Sequence, residues 1–208
     1  MIPKIIHQIH LGNSSLSPEE LEWKDSWSKY NPSWQYIFWD EEMINDLDFD
    51  SKKFLEFCSC YAMKSDIIRY ELLYKFGGLY VDTDFECLRN FDSFVDGKDF
   101  MFCRQVHDGK GDFPRIPEVC NAFIASSPGH IFLQKLIDGL KDRLELGYRY
   151  PFSTGPLYMH DIIGPENALD PEYVYPFMWW EDKPKKGEDL RSKYPNSYAV
   201  HHWQGSWV

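Results

Sequence analysis

Two carboxylates one residue apart, Asp82 and Asp84, close the run Gly77-Gly-Leu-Tyr-Val-Asp82-Thr-Asp84. Leu79 to Val81 reads as a short buried strand, and on an extended chain alternate side chains leave the same face about 6–7 Å apart. Two acids converging beyond the C-terminal end of a strand suit a hard divalent cation, Mn²⁺ or Mg²⁺. Such an ion keeps coordination positions open for water and substrate phosphates. That end of an open α/β sheet is also where ligands bind. The alternative is a surface turn with two solvated acids, because Asp-x-Asp alone is a common pattern. The chain carries a second alternation, Asp46-Leu-Asp48-Phe-Asp50. It fails as a Ca²⁺ loop, with Ser51 where glycine is needed and Phe57 where a bidentate glutamate is needed. It reads as a turn with solvated charges.

The neighbourhood of the first pair is more specific. Asp66 and Arg69 stand three apart, on one face of a helix expected over residues 61–76. Ile67, Ile68, Leu72, Leu73 and Phe76 keep its 3.6-residue rhythm, and Gly77-Gly78 stops it. Further elements follow from capping and alternation: strands over residues 4–9 and 35–39, and between them a helix over 18–30 with Ser17 as cap and Pro18 at the first position. Residues 100–103, 122–125 and 198–202 read as strands, 131–146 as a second long helix, and the proline-rich stretch 170–195 as irregular surface chain. Strands alternating with helices predict an α/β sheet. Without repeats or linkers, the expectation is one domain over 1–208.

Charge narrows the partners. The 208 residues carry 22 Lys and Arg against 33 Asp and Glu, a net charge of −11. Nucleic-acid binding through phosphate neutralisation shows the opposite balance, so no nucleic-acid partner is expected. No run approaches the roughly 20 apolar residues of a membrane span, and the first ten residues lack the core of a signal peptide. The five cysteines have no paired metal-ligand spacing and read as reduced thiols, which points to the cytoplasm. There is no Gly-rich phosphate loop, so an anionic ligand would have to be met by a bound cation and Arg69. Aromatic residues make up 17% of the chain. Most belong to a core, but Trp179, Trp180 and Trp203 are candidate platforms for stacking on a ligand.

The run from Ser65 to Asp84 resembles the DxD-containing sugar transferases of glycosyltransferase family 32, which include yeast outer-chain α-mannosyltransferases and bacterial capsule and lipopolysaccharide enzymes. The likeness extends to Ile2-Pro-Lys-Ile-Ile-His-Gln-Ile9, Asn31-Pro-Ser-Trp-Gln-Tyr-Ile-Phe-Trp-Asp40, Asn121-Ala-Phe-Ile-Ala125, Ser153-Thr-Gly-Pro156 and His201-His-Trp-Gln-Gly-Ser-Trp207. It implies a GT-A fold, a nucleotide-binding α/β domain with a mixed, mostly parallel sheet flanked by helices. It also implies metal-dependent transfer of a hexose from a UDP- or GDP-sugar to a hydroxyl of a glycan or glycolipid, with retention of configuration.

Carried over residue by residue, the resemblance makes Asp84 a direct metal ligand and Asp82 a ligand that also meets the donor's ribose or sugar. Asp66 and Arg69 become contacts of the donor sugar, and Arg69 lies near the phosphates. Tyr80 and His10 become further donor contacts, His10 standing where relatives often carry Trp. His202 is the expected metal-ligating histidine, ahead of His201, and Ser206 and Trp207 are expected at the donor diphosphate. Asn121 and Thr154-Gly155 are candidates for the acceptor side, while Asp112, Glu118 and Asp161 are acids without a role. The missing N-terminal anchor of the Golgi members favours a cytoplasmic enzyme with peripheral membrane contact at most. Competing readings are a catalytically silent carbohydrate or nucleotide-sugar binder, against which all four of Asp66, Arg69, Asp82 and Asp84 are present, and a nucleotide-sugar phosphohydrolase.

Overall fold

A computed structural model of the chain describes residues 1–106 and 119–205. The described chain runs β1 (Ile5–Ile9), α1 (Pro18–Tyr30), β2 (Gln35–Trp39), α2 (Glu41–Asp46), a 3₁₀ stretch (Asp50–Phe57), α3 (Tyr61–Phe76), β3 (Gly78–Val81) and β4 (Phe85–Cys87). It continues through α4 (Asp92–Val95), β5 (Phe100–Arg104), β6 (Val119–Ser126), α5 (Ile131–Glu145), α6 (Pro156–Ile163), a 3₁₀ turn (Pro171–Tyr173), α7 (Leu190–Lys193) and β7 (Ala199–His201). Five strands form a sheet in the order β2-β1-β3-β6-β5, and β4 pairs with β7 apart from it. β1 is parallel to β2 and β3, whereas β6 is antiparallel to both β3 and β5, so β6 alone runs against the others.

Both faces of this sheet are covered, and β3 shows how. Leu79 and Val81 enter a core with Trp27, Phe85 and Phe91, while Tyr80 enters another with Ile67, Leu72 and Leu136. A doubly covered strand has no solvent face for polar residues, so His7 and Gln8 on β1 need internal partners. The His7 Nδ1 accepts the Trp39 indole N–H at 3.1 Å, which leaves Nε2 to donate to the Gly77 carbonyl at 2.8 Å. The ring is thereby fixed as a neutral Nε2–H tautomer. Burial lowers its pKa to about 4, against the smaller opposing pull of the Gly77 carbonyl.

That value carries a pH prediction. In the unfolded chain a histidine takes a proton near pH 6.5, whereas folded His7 refuses it until about pH 4. Its contribution is therefore intact above pH 6.5 and lost as pH falls toward 4. Between pH 7.5 and pH 5 the loss is about 2 kcal/mol. Urea unfolding of the wild type and His7→Leu at both pH values should show the wild type losing that much more than the variant; parallel losses would contradict it.

α3 enters β3 through Gly77 (φ +64°) and Gly78 (φ +102°), conformations that L side chains rarely adopt. A Cβ on Gly78 would lie 2.5 Å from the Ile5 carbonyl oxygen. The elbow thus requires glycine for backbone contact with β1 as well as for its dihedrals, and it directs the strand that ends at the two acids. At the start of α1, Ser17 and Glu20 form a reciprocal capping box, the Ser17 Oγ accepting from the Glu20 N–H at 3.2 Å.

Several expectations shift. β3 stops at Val81 and the chain turns, the Phe85 N–H donating to the Asp82 carbonyl at 3.2 Å. Asp82 and Asp84 therefore converge across a tight turn rather than along an extended strand. β6 runs longer than residues 122–125, because pairing with β5 extends to Val119. The stretch read as irregular over 170–195 contains only a 3₁₀ turn and the one-turn α7. α6, which the sequence reading lacks, starts at Pro156 directly after Gly155. The acids Asp46, Asp48 and Asp50 are exposed as expected, but Asp46 ends α2 and Asp50 opens the 3₁₀ stretch, so only the link between them is a turn.

Candidate active site

Asp66 and Arg69, one turn apart on α3, are both buried. A buried ion pair persists only if its remaining donors and acceptors are satisfied, and here they are. Asp66 accepts from the Asn121 amide at 2.7 Å and from the Thr154 hydroxyl at 2.9 Å, with an Arg69 nitrogen 3.2 Å away. Arg69 donates to the Asn121 carbonyl at 2.7 Å and to the Ser65 carbonyl at 3.3 Å, and it lies 3.1 Å from Asp82. Its guanidinium lies 4.4 Å from the Tyr80 ring centre, and the Tyr80 hydroxyl donates to Asp82 at 2.7 Å. Burial raises the Asp66 pKa to about 6, against Arg69 and its two hydrogen bonds.

On the solvent side of Arg69 the two acids diverge electrostatically. Burial pushes Asp82 upward, Arg69 opposes this, and repulsion from Asp84 adds to it. Asp84 is also penalised by burial, but His201 and the Gln204 N–H hold it below the usual carboxylate range. His201 Nε2 is 2.9 Å from Asp84 Oδ1, and the Gln204 N–H donates to Oδ2 at 2.9 Å. The β4–β7 ladder delivers this histidine, placing His201 opposite Phe85, the residue after Asp84. Its ring stacks on Phe85 at 4.4 Å and meets Trp203 at 4.0 Å. His201 Nδ1 is buried without a partner, so the proton sits on Nε2, where Asp84 accepts it.

One oxygen each from Asp82 and Asp84 and one ring nitrogen from His201 lie within 4.8 Å of one another. Two carboxylates and an imidazole form a donor set that fits a borderline-hard divalent ion such as Mn²⁺ and suits Mg²⁺ less. The residues present therefore fit the cation that the sequence pattern implies. His202, the expected ligand, is not in the group. His202 follows the last residue of β7, and its side chain turns to the opposite face, where it stacks on Trp23 at 4.0 Å and lies 3.0 Å from Glu86.

Residues 17–101 match the model of the glycosyltransferase sugar-binding region containing the DXD motif. The chain is also 28% identical over 198 residues to an uncharacterized glycosyltransferase of Acanthamoeba polyphaga mimivirus, covering 88% of this chain and 76% of that protein. It is 29% identical over 190 residues to inositol phosphoceramide mannosyltransferase 3 of Schizosaccharomyces pombe, covering 86% of this chain and 49% of that one. The matches are to glycosyltransferases, and they agree with the resemblance to family 32. The chain spans about three quarters of the viral relative but only about half of the yeast one. The solved glycosyltransferase PaToxG superposes with a TM-score of 0.58 at 19% identity, over 79% of this chain and 71% of that one. The fold is GT-A.

The other expected site residues divide by position. Asn121 and Thr154, expected on the acceptor side, are buried and point inward to Asp66. Tyr80 is also buried and supports Arg69 and Asp82 from below. His10 lies at the end of β1, stacked on Phe38 at 5.8 Å, with Nε2 2.7 Å from the Ser14 carbonyl. Asp161 is paired with Arg143 at 2.8 Å. Trp179, Trp180 and Trp203 form one aromatic cluster, and Trp203 touches His201. Ser206, Trp207, Asp112 and Glu118 lie outside the described residues.

Sequence reasoning missed Gln8. Its amide donates to the Asp82 carbonyl at 3.0 Å, and its own carbonyl accepts from the Tyr36 hydroxyl, so β1 and β2 hold the acidic turn in place. The available signal was an uncharged polar pair, His7-Gln8, inside an otherwise apolar buried strand.

Proposed function

We propose that this chain transfers a hexose from a nucleotide-sugar donor to a hydroxyl of a glycan or glycolipid acceptor, in a reaction that depends on a divalent cation. The observation that carries this is the convergence of Asp82, Asp84 and His201 at the C-terminal end of β3, beside the buried Asp66–Arg69 pair. In a chain of net charge −11, a bound Mn²⁺ would supply the positive charge against which a nucleoside diphosphate can leave. The chain's own part is positional. Asp82, tied to Arg69, Tyr80 and Gln8, holds its carboxylate at a fixed place facing the donor. Arg69 spends its N–H groups on Asp66, Asp82, Asn121 and Ser65, so it acts by keeping those carboxylates charged and oriented rather than by gripping phosphate directly.

Retention fits the same arrangement without a covalent intermediate. Asp66 is enclosed by Asn121, Thr154 and Arg69 and has no free face from which to attack a sugar. In a front-face route the acceptor oxygen bonds to the anomeric carbon as the bond to the diphosphate oxygen breaks, and the acceptor's proton passes to the departing diphosphate. The names of the yeast relatives, inositol phosphoceramide mannosyltransferases, support a hexosyl donor and a lipid-borne acceptor.

Incubation with a panel of UDP- and GDP-sugars and Mn²⁺ tests this reading. Nucleotide release with one donor, abolished by chelation, is the expected result. Silence with every donor, with and without acceptors, would overturn it.

A further inference from the structure

A cleft of about 560 Å³ opens between the end of the 3₁₀ stretch, the start of α3 and the chain that follows α5. Phe57 and Tyr148 line it and are 63% and 44% exposed, unusually open for large aromatic side chains. Met63 and Leu144 add apolar wall, and Arg149 supplies a cation. Arg149 is exposed and enters no ion pair among the described residues. In a chain of net charge −11, an unpaired arginine beside two open aromatic faces stands out from its surroundings.

The inner end of the cleft leads toward the acids. Tyr150 lines the cleft, and its hydroxyl lies in the fields of Asp66, Arg69 and Asp82. Its ring packs so closely on Gly155 that a Cβ there would come within 3.0 Å. The neighbouring Thr154 donates to Asp66, and Met63 precedes Asp66 by one helical turn. Tyr150 is therefore the partition between an open, partly apolar cleft and the catalytic cluster.

We infer that this cleft is the acceptor subsite, taking the ring of an anionic sugar or polyol between Phe57 and Tyr148 with its phosphate against Arg149. The inference rests on the transferase reading. Flat aromatic faces match the C–H faces of such a ring, and a guanidinium pairs with phosphate through two parallel hydrogen bonds, which a lysine cannot reproduce. The same phosphorylated ring could be a free metabolite or the headgroup of a lipid.

Titration of the full chain with inositol 1-phosphate, followed by tyrosine and tryptophan fluorescence or calorimetry, tests it without turnover. Saturable binding is expected, with at least a tenfold loss in Arg149→Gln, a similar loss in Tyr148→Ala, and a weaker response to uncharged inositol. Lys141→Gln, an equal change of charge elsewhere on the surface, should bind as the wild type does. Sedimentation with phosphatidylcholine vesicles with and without phosphatidylinositol separates the sources. Arg149-dependent binding to the phosphatidylinositol vesicles but not to phosphatidylcholine alone assigns a lipid headgroup, and binding to free inositol 1-phosphate without binding to those vesicles assigns a soluble acceptor. Absence of binding to both, or Arg149→Gln and Lys141→Gln behaving alike, overturns the assignment. Intact Arg149-dependent binding in a protein that releases no nucleotide from any donor would condemn the transferase reading and leave this site standing.

Discussion

Asp84→Asn is expected to reduce cation-dependent nucleotide release by roughly 10³-fold, because losing the proposed metal ligand would remove several kcal/mol of leaving-group stabilisation. Its melting temperature should stay within a few degrees of the wild type. The two halves of that expectation have separate causes. Asparagine keeps an oxygen that can accept from His201 Nε2 or the Gln204 N–H, both now 2.9 Å from the carboxylate. It also removes the negative charge whose repulsion pushes Asp82 upward, a gain that offsets the weakened histidine contact. A variant that loses turnover while melting normally marks a functional acid. A drop of 10 °C or more would assign the turn a structural role.

Arg69→Ala should behave in the opposite way. Its guanidinium stands between two carboxylates and against the Asn121 carbonyl, at 3.2, 3.1 and 2.7 Å. Removing one partner of a buried pair leaves uncompensated charge, which costs about 3–5 kcal/mol. For a chain of this length that corresponds to a fall of roughly 10 °C in melting temperature. Turnover should vanish as well, through loss of the positioned Asp82. Arg69→Lys should recover part of the stability, since a point charge can face one carboxylate but cannot reproduce the fork that spans both. Differential scanning calorimetry of the three proteins decides this; an Arg69→Ala protein that melts with the wild type would show that the guanidinium is not the keystone of the buried cluster.

How far the sequence disclosed this arrangement depended on the range of the interactions involved. The start of α1 and the end of α3 were legible to the residue because they are set locally, by the Ser17 capping box, by Pro18 and by the Gly77-Gly78 elbow. The pairing of Asp66 with Arg69 was legible for the same reason, as a one-turn spacing on a helix. What lay beyond reach was the inward role of Asn121 and Thr154, which arrive from β6 and from the start of α6 to satisfy Asp66. Nothing near either residue in the chain announces that partner. The histidine was missed for a related reason. Adjacent His201 and His202 must face opposite ways, but which one meets Asp84 depends on the register between β4 and β7, strands of three residues each with a long stretch of chain between them. Strand alternation separates the two rings without saying which is inside.

That histidine is where the proposed metal centre is most exposed to test. Mn²⁺ titration of the wild type, His201→Ala and His202→Ala, followed by loss of the free-ion electron paramagnetic resonance signal, measures it directly. The expected result is one Mn²⁺ per chain in the wild type and in His202→Ala, with binding at least tenfold weaker in His201→Ala. Tight binding retained by His201→Ala, or lost from His202→Ala, would contradict the assignment of Asp82, Asp84 and His201 as the centre on which sugar transfer depends.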